Sequence, residues 1–193
     1  MSNPYVGVTV QTDVTELAAF CKENRFSFYL TFMHAAALAA NSIPEFRQRI
    51  CPEGIVEYEE CGTSHTESTE NGAYCYCTLK HDMPFLAYIG YAERERQAAR
   101  ARAGFAEDAE ADSLYFISSL PWLHYTQLIQ PTDGCTQTNP RITWGKHERD
   151  AQGRQMMPVT VLCHHALVDG SHLAAFYERL QVQMKEIVHS VRP

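Results

Sequence analysis

The sequence predicts an α+β fold: a two-layer sandwich in which helices cover one mixed β-sheet. Its 193 residues are 45% hydrophobic and 20% charged, which suits one globular domain with a substantial core. Apolar side chains recur with a period of two in some segments and of three to four in others, without a regular alternation of strand and helix. We therefore expect a single domain over residues 1–193.

The first third of the chain predicts one strand and two helices. Residues 6–10 alternate apolar and small or polar side chains, which is typical of a strand. The four residues from Asp13 to Glu16 resemble a capping box, so we expect a helix from there to about residue 24. Residues 27–40 are apolar on almost every side, which predicts a helix that is buried on most of its surface.

The middle of the chain predicts two strands and a longer helix. Residues 55–58 and 73–79 are the predicted strands, and in the second one Cys75 and Cys77 share a face as small hydrophobic groups. A helix is expected from residue 83 to about residue 103. Its charged run at residues 93–96 is typical of a solvated helical face.

The C-terminal third predicts three more strands and a final helix. The strands are expected at residues 115–118, 142–146 and 157–164, with a hairpin turn at residues 150–153. Apolar residues then repeat at three and four positions over residues 171–188, which is the period of an amphipathic helix.

Between the last strand and the last helix lies the run His164-His165-Ala166-Leu167-Val168-Asp169-Gly170. Corners of this kind hold side chains at the rim of a sheet, where a substrate reaches them. Adjacent strand residues point to opposite faces, so a structural interpretation makes one histidine a core residue and the other a surface residue. Asp169 and Gly170 favour a functional role, because a carboxylate after a short loop fixes local structure and glycine adopts backbone angles that other residues avoid.

Composition excludes several classes of function. A net charge of -7 argues against a nucleic-acid partner, so an anionic ligand needs a local basic cluster. With no run of eighteen apolar residues and no N-terminal basic segment followed by an apolar one, we expect a soluble cytoplasmic protein without a membrane partner.

Seven cysteines without a repeating framework suit reduced thiols. There is no C-x-x-C or H-E-x-x-H motif, and we expect no metal although His172 lies near the histidine pair.

Several separated motifs resemble the chloramphenicol acetyltransferase family, in an order and spacing that agree from about residue 5 to the C-terminus. They are Pro44-Glu45-Phe46-Arg47, Ser118-Ser119-Leu120-Pro121-Trp122 with Tyr125-Thr126, residues 139–146, Met156-Met157-Pro158 and the histidine run. The resemblance implies that family's version of the α+β sandwich. It also implies acetyl transfer from acetyl-CoA to a hydroxyl of chloramphenicol, and a chain that lacks roughly twenty-five N-terminal residues of the family.

The same resemblance implies roles for four residues. His165 matches the general base that removes the proton of the attacking hydroxyl, a task suited to a neutral imidazole. Ser118 matches the hydroxyl that stabilises the oxyanion, and Thr143 matches a threonine that holds an ordered water there. Asp169 matches a structural aspartate that pairs with an arginine of the N-terminal segment that is missing here.

Binding residues also follow from the resemblance. The coenzyme is expected to pass Trp122 and Lys146, with His147 near the adenine. Cys51 occupies the position of a further family lysine, and Arg47 and Arg49 lie near it in sequence. The acceptor is expected to meet three residues, which are Tyr125, Leu128 and Gln130.

The resemblance also predicts how the protein assembles. The His-x-x-x-Asp-Gly signature also occurs in condensation domains and dihydrolipoamide acyltransferase cores, and condensation domains join two such units in one chain. A single unit must take its second wall from a neighbour, so we expect a homotrimer with each active site at a subunit interface. Two alternatives remain open: an acyltransferase with another hydroxyl or amine acceptor, and a catalytically silent binding or scaffold protein.

Overall fold

One mixed β-sheet forms the first layer of the structure, a computed structural model that describes residues 3–69, 72–102, 111–132 and 136–191. The strands are β1 (Tyr5–Asp13), β2 (Gln48–Cys51), β3 (Gly54–Glu57), β4 (Gly62–Ser68), β5 (Tyr74–Leu79), β6 (Leu114–Leu120), β7 (Arg141–Gly145), β8 (Glu148–Arg149) and β9 (Gln155–His164). The helices are α1 (Thr15–Asn24), α2 (Phe28–Asn41), α3 (Phe85–Ala101) and α4 (Gly170–Val191), with short 3-10 helices at Pro44–Arg47 and Ala111–Ser113.

The main sheet has the strand order β1-β9-β7-β6-β4-β5, and β8 pairs with the start of β9. Strands β1 and β7 run antiparallel to β9, whereas β6 runs parallel to both β7 and β4. Strands β2 and β3 form a separate hairpin. Together with the helical layer this confirms the predicted α+β sandwich with a mixed sheet.

The two faces of the sheet have different surroundings. Val159, Val161 and Cys163 of β9 are buried in the core cluster with residues of the helices. Because side chains alternate along a strand, the residues between them, such as Thr160, point to the opposite face. That opposite face is called the open face below, because no helix of the described ranges belongs to it.

Helix α2 is the most buried element of the helical layer. Ser27 caps it by accepting a hydrogen bond from the N–H of Leu30 at 3.3 Å, and ten of its residues are buried. Small side chains such as Ala35, Ala36 and Ala39 allow close approach of its neighbours. The prediction of a helix buried on most sides is confirmed.

Three differences from the predicted elements have physical causes. Strand β4 was not predicted, because its sheet-core face carries the buried polar residues Thr63, His65 and Glu67 instead of an apolar alternation. The predicted strand at residues 55–58 belongs to the separate hairpin, where its residues are exposed. The predicted capping box before α1 is wrong in detail. The N-cap residue is Val14, which makes no side-chain hydrogen bond, and Asp13 accepts from the N–H of Thr15 at 2.9 Å. The predicted helix end at residue 103 lies outside the described residues, and α3 ends at Ala101.

None of the described helices is both long and apolar enough to cross a membrane.

Candidate active site

The histidine run lies at the predicted strand-to-helix corner. Strand β9 ends at His164, and the carbonyl of His164 accepts hydrogen bonds from Leu167 N–H at 3.0 Å and Val168 N–H at 3.1 Å. The N–H of His165 donates to the carbonyl of Pro4 at 2.7 Å, which ties the corner to the start of β1. Three backbone bonds therefore hold the backbone at His165 before any ligand binds.

The two histidines differ in exposure and in tautomer. His165 is exposed, and its Nδ1 lies 3.0 Å from the carbonyl oxygen of Val168. A carbonyl only accepts, so Nδ1 carries the proton and Nε2 keeps a lone pair that faces outward. His164 is buried and its Nδ1 accepts from the N–H of Ala166 at 3.2 Å, so its proton lies on Nε2. His165 is thus the one of the two with a lone pair available to a ligand.

Asp169 caps helix α4. Its Oδ1 accepts hydrogen bonds from Ser171 N–H at 2.8 Å, Ser171 Oγ–H at 2.6 Å and His172 N–H at 3.3 Å. The hydrogen bonds from Ser171 lower the pKa of the Asp169 carboxyl. The His172 ring lies beside it, with Nδ1 at 3.2 Å from Oδ1 and accepting from the N–H of Asp169, and with Nε2 at 3.6 Å from Glu45. In the described part of the chain no arginine forms an ion pair with Asp169 within 4 Å. A helix cap occupies the position where the family resemblance implies an arginine pair.

A row of hydroxyl groups crosses the open face of the sheet. Strand pairing aligns Thr9 with Thr160, Thr160 with Thr143, and Thr143 with Ser118. The hydroxyls of Thr9 and Thr160 are 2.7 Å apart. Tyr125 supports this row, because its hydroxyl donates to the carbonyl of Thr143 at 3.1 Å and accepts from Thr160 at 3.2 Å. We call Thr9, Thr160, Thr143 and Ser118 the hydroxyl row.

A loop lies over part of the hydroxyl row and borders an open cavity of about 300 Å³. Ser118, Thr143, Leu128 and Gln130 are among its lining residues. Gln130 donates from Nε2 to the hydroxyl of Thr143 at 2.7 Å, and its Oε1 is buried without a hydrogen-bond partner in the described residues. We call this space the loop cavity. A polar atom left unpaired there is a position at which a ligand donor gains a hydrogen bond.

A larger cavity of about 800 Å³ runs through the sheet, and we call it the channel. Strands β4 and β6 pair only at residues 62–64 and 114–116, although both strands continue for four more residues. The unpaired ends leave a slot between the faces of the sheet. Its lining includes Tyr29 and Glu67 from the helix side and Ser118 from the open face. Ser118 lines both cavities, so the channel and the loop cavity meet at this residue.

The three residues expected to meet the coenzyme, Trp122, Lys146 and His147, all line the channel. Trp122 is 79% exposed. Lys146 pairs with Glu148 at 2.9 Å. The His147 ring lies 5.2 Å from that of Phe28.

Arg47 and Arg49, the two cations near Cys51 in sequence, are not among the residues that line the channel. Arg47 donates to the carbonyls of Tyr58 and Glu59. Arg49 is 1% exposed and donates to four backbone carbonyls, so its guanidinium group stabilises the fold.

The histidine corner and the hydroxyl row lie apart within one chain. His164 is four residues beyond Thr160 along β9, which corresponds to about 13 Å at the rise of a β-strand. His165 is farther still, and Thr143 and Ser118 lie one and two strands to the side of Thr160. General-base catalysis needs contacts of about 3 Å to the reacting groups, so His165 and the hydroxyl row cannot both contact the same reacting atoms within a single chain.

The channel wall also holds a charged cluster that no sequence pattern predicted. Glu67 of β4 is buried and lies 2.5 Å from Arg96 and 2.5 Å from Arg100, both on α3. The prediction that residues 93–96 form a solvated face is wrong for Arg96, whose side chain is 19% exposed. The only sequence feature that could have indicated the cluster is the carboxylate of Glu67 between strand residues, and strand β4 itself was not predicted.

Comparisons with known proteins agree with this architecture. The sequence model of the family described as chloramphenicol acetyltransferase matches residues 4–181. Chloramphenicol acetyltransferase 3 of Escherichia coli is 24% identical over 180 residues, which cover 90% of this chain and 83% of that protein. Chloramphenicol acetyltransferase 2 of Haemophilus influenzae is 26% identical over 186 residues, which cover 94% and 86%.

Solved structures give the same result. A chloramphenicol acetyltransferase structure superposes with a TM-score of 0.80 at 26% identity, covering 95% of this chain and 89% of the other. The dihydrolipoamide acetyltransferase of Azotobacter vinelandii shares the fold, with a TM-score of 0.75 at 18% identity over 96% of this chain and 84% of the other. The family match extends over most of the sequence and includes the corner, the hydroxyl row and the channel. This chain therefore belongs to the chloramphenicol acetyltransferase family, a family of acyltransferases.

Proposed function

We propose that this protein transfers the acetyl group of acetyl-CoA to a hydroxyl of chloramphenicol, and that it thereby inactivates the antibiotic. The observation that carries the proposal is the meeting of the channel and the loop cavity at Ser118. A thioester entering from the helix side and an alcohol bound on the open face reach the same hydroxyl from opposite directions. Membership in the family supports acetyl transfer, and the names of the relatives support chloramphenicol as the acceptor.

The chemistry follows from the free nitrogen of His165. The acceptor hydroxyl gives its proton to Nε2 while its oxygen attacks the thioester carbonyl. Negative charge then develops on the carbonyl oxygen, where the Ser118 hydroxyl donates a hydrogen bond. Collapse of the tetrahedral intermediate breaks the carbon–sulfur bond, and the departing thiolate takes the proton back from the imidazolium. Transfer is direct, and no acyl-enzyme forms.

The active site is shared between two subunits of a homotrimer in this proposal. Support comes from the separation of His165 from Ser118 and Thr143, which one chain cannot bridge. It also comes from the β2–β3 hairpin, where Ile50 and Ile55 are paired across the strands and are 42% and 62% exposed. Adjacent exposed apolar groups commonly mark contact surfaces. A cytoplasmic location is part of the same proposal, supported by six free cysteines in the described residues.

Activity and subunit sharing are tested by one set of variants. Thiol release from acetyl-CoA is followed with and without chloramphenicol for wild type, His165→Ala and Ser118→Ala. The first variant lacks the base and the second lacks the oxyanion donor, so each alone is expected to lose about 10²-fold or more in kcat. No chloramphenicol-dependent release by the wild-type protein contradicts the proposed reaction.

Mixing the two variants tests the shared site. If one subunit supplies His165 and the next supplies Ser118, random reassembly of equal amounts restores about one quarter of the sites in a closed ring. Two variants of a site confined to one chain restore nothing. The mixture is unfolded together and refolded, the trimer is verified by light scattering, and separately refolded variants serve as the control.

A different acceptor is the second candidate, and Gln130 favours it. Its unpaired Oε1 in the loop cavity suits an alcohol or amine that carries an additional hydrogen-bond donor. A panel of hydroxyl and amine acceptors separates the two candidates by kcat/KM. Gln130→Leu is expected to reduce kcat/KM for acceptors with the extra donor and to spare those without it. A preference for chloramphenicol over the whole panel rejects this candidate.

A further inference from the structure

The channel has two unlike walls at its helix side. One wall carries Lys146 and Trp122 at the ends of β7 and β6. The other carries His65 and Glu67 of β4 with Arg96 and Arg100 of α3. We call these four residues the α3 arginine cluster.

The cluster is organised around the Glu67 carboxylate. Arg96 donates from Nε to Oε1 at 2.5 Å and from Nη2 to Oε2 at 3.3 Å. Arg100 donates from Nε at 3.0 Å and from Nη2 at 2.5 Å, both to Oε2. His65 Nε2 lies 3.2 Å from Oε1. Burial alone would raise the pKa of Glu67, but the hydrogen bonds from His65, Arg96 and Arg100 lower it far below its usual range.

Two guanidinium groups share this one buried carboxylate, so the wall carries positive charge beyond what Glu67 compensates. Glu93 also approaches Arg96, but at 3.9 Å and with a side chain that is 46% exposed, where an ion pair contributes little. Arg100 is 45% exposed, and a guanidinium has five N–H donors of which Glu67 receives two from Arg100. Arg100 therefore has donors that face the channel and solvent.

The opposite wall offers a single cation. Lys146 lies 2.9 Å from Glu148, and the hydrogen bond from Lys146 lowers the pKa of the Glu148 carboxyl. Both side chains are about half exposed, so this ion pair contributes little and Lys146 is a second, single-charge contact for a phosphate. Trp122 and His147 give that wall an aromatic surface, which suits a base more than a phosphate.

A second observation in the same wall points to a bound ligand. His65 is 3% exposed, lines the channel, and its Nδ1 has no hydrogen-bond partner in the described residues. Buried polar atoms of folded proteins are almost always paired, so an unpaired one in a cavity wall marks a place where a ligand supplies the partner. Amide groups along a pantetheine arm provide both donors and acceptors at that depth.

We propose that Arg96 and Arg100 are the main phosphate anchor for the coenzyme in this chain, with His65 bonding the pantetheine arm. This inference rests on the proposed use of a coenzyme A thioester. Guanidinium groups bind phosphate oxygens through paired, charge-assisted hydrogen bonds. Glu67 acts as a positioning residue, because it fixes both guanidinium planes before the coenzyme arrives.

The test compares acetyl-CoA with S-acetylpantetheine, which has no phosphate. Arg100→Gln is expected to raise KM for acetyl-CoA ~10- to 100-fold, because charge-assisted hydrogen bonds to phosphate are lost. The variant should also narrow the difference in kcat/KM between acetyl-CoA and S-acetylpantetheine. Arg100→Lys keeps the charge and is expected to fall between wild type and Arg100→Gln. Arg102→Gln is the matched control, because Arg102 is on the same end of α3, is 70% exposed and does not line the channel.

Binding is measured separately from turnover. Quenching of tryptophan fluorescence reports Kd for coenzyme A and for pantetheine, since Trp122 and Trp144 both line the channel. An equal change for both ligands in Arg100→Gln, or no change, overturns the α3 anchor even if acetyl transfer is found. Selective weakening of coenzyme A in a protein without transferase activity upholds the anchor and rejects the proposed reaction. Circular dichroism verifies the fold of each variant.

Discussion

Two pairs of histidines in this protein have opposite surroundings. His164 and His165, the edge pair, lie at the C-terminal end of β9, and Nε2 of the exposed member has no hydrogen-bond partner in the described residues. His34 of α2 and His81, which follows β5, lie beneath the helices at 1% and 0% exposure. The Nδ1 atoms of His34 and His81 are 3.1 Å apart, and His81 Nε2 contacts the hydroxyl of Thr63 at 2.9 Å.

The surroundings of each pair determine what the same imidazole side chain can do. In the buried pair one Nδ1–H donates to the other nitrogen, so the bond exists only while at least one ring is neutral. Burial lowers the pKa of His34 to about 4, and burial with the nearby His34 and His65 lowers the pKa of His81 well below its usual value. The buried pair is therefore a structural contact that requires neutrality, whereas the edge pair offers a lone pair to solvent and ligand.

The largest expected effect comes from removing the exposed imidazole. His165→Ala is expected to lower kcat by about 10²- to 10⁴-fold, because a positioned base is lost. The free energy of unfolding should change by less than about 0.5 kcal/mol, because the side chain is exposed. Steady-state kinetics and urea denaturation measure the two quantities, and His189→Ala on the exposed end of α4 is the control. A variant that loses stability but keeps its turnover would show that the corner histidine is structural.

The buried pair predicts the next largest effect, a loss of stability in acid. A histidine whose folded pKa is lowered is protonated more readily in the unfolded chain, so its contribution is complete above about pH 6.5 and is lost as the pH falls toward the folded value. For His34, with a folded pKa of about 4, the loss amounts to about 3 kcal/mol over that window. Carboxylates with lowered pKa values act at lower pH, so urea denaturation between pH 7 and 5 isolates the histidines.

A matched variant identifies the responsible group. His34→Gln keeps a hydrogen-bonding side chain next to His81 but does not titrate. The slope of stability against pH between 7 and 5 is expected to decrease by up to one proton relative to wild type, which is about 1.4 kcal/mol per pH unit. An unaltered slope in His34→Gln would refute the assignment to the buried pair.

Local sequence patterns were sufficient for the four helices, for most strands of the main sheet and for the corner, because these depend on neighbouring residues. The period of apolar residues in β9 and α4 and the His164–Gly170 run placed the strand-to-helix junction without reference to the rest of the chain. The lining of the channel by Trp122, Lys146 and His147 followed from a family resemblance and not from any local pattern.

Local patterns could not predict which distant segments pair with each other. The distance between His165 and Ser118 depends on the register of β9 against β7 and of β7 against β6. The slot in the sheet depends on where β4 and β6 stop pairing. Glu67 and Arg96 are 29 residues apart, so nothing in either segment revealed their contact. Burial of a charge on β4 became interpretable only once its partners on α3 were known.

The smallest expected effect concerns Asp169, which connects the edge pair to α4. Asp169→Ala removes the acceptor for the N–H groups of Ser171 and His172, and loss of a helix cap is expected to lower Tm by about 2–4 °C. Asp169→Asn keeps an accepting oxygen, so its Tm should lie nearer to wild type. The pKa of Asp169 is lowered in the fold, so its cap contributes at neutral pH and is lost as the pH falls through that lowered value. Because Asp169 acts on His165 only through the backbone at Val168, both variants should keep far more turnover than His165→Ala. Calorimetry and kinetics decide the matter: a loss in Asp169→Asn as large as that in His165→Ala would make the carboxylate charge part of the chemistry and not of the helix cap.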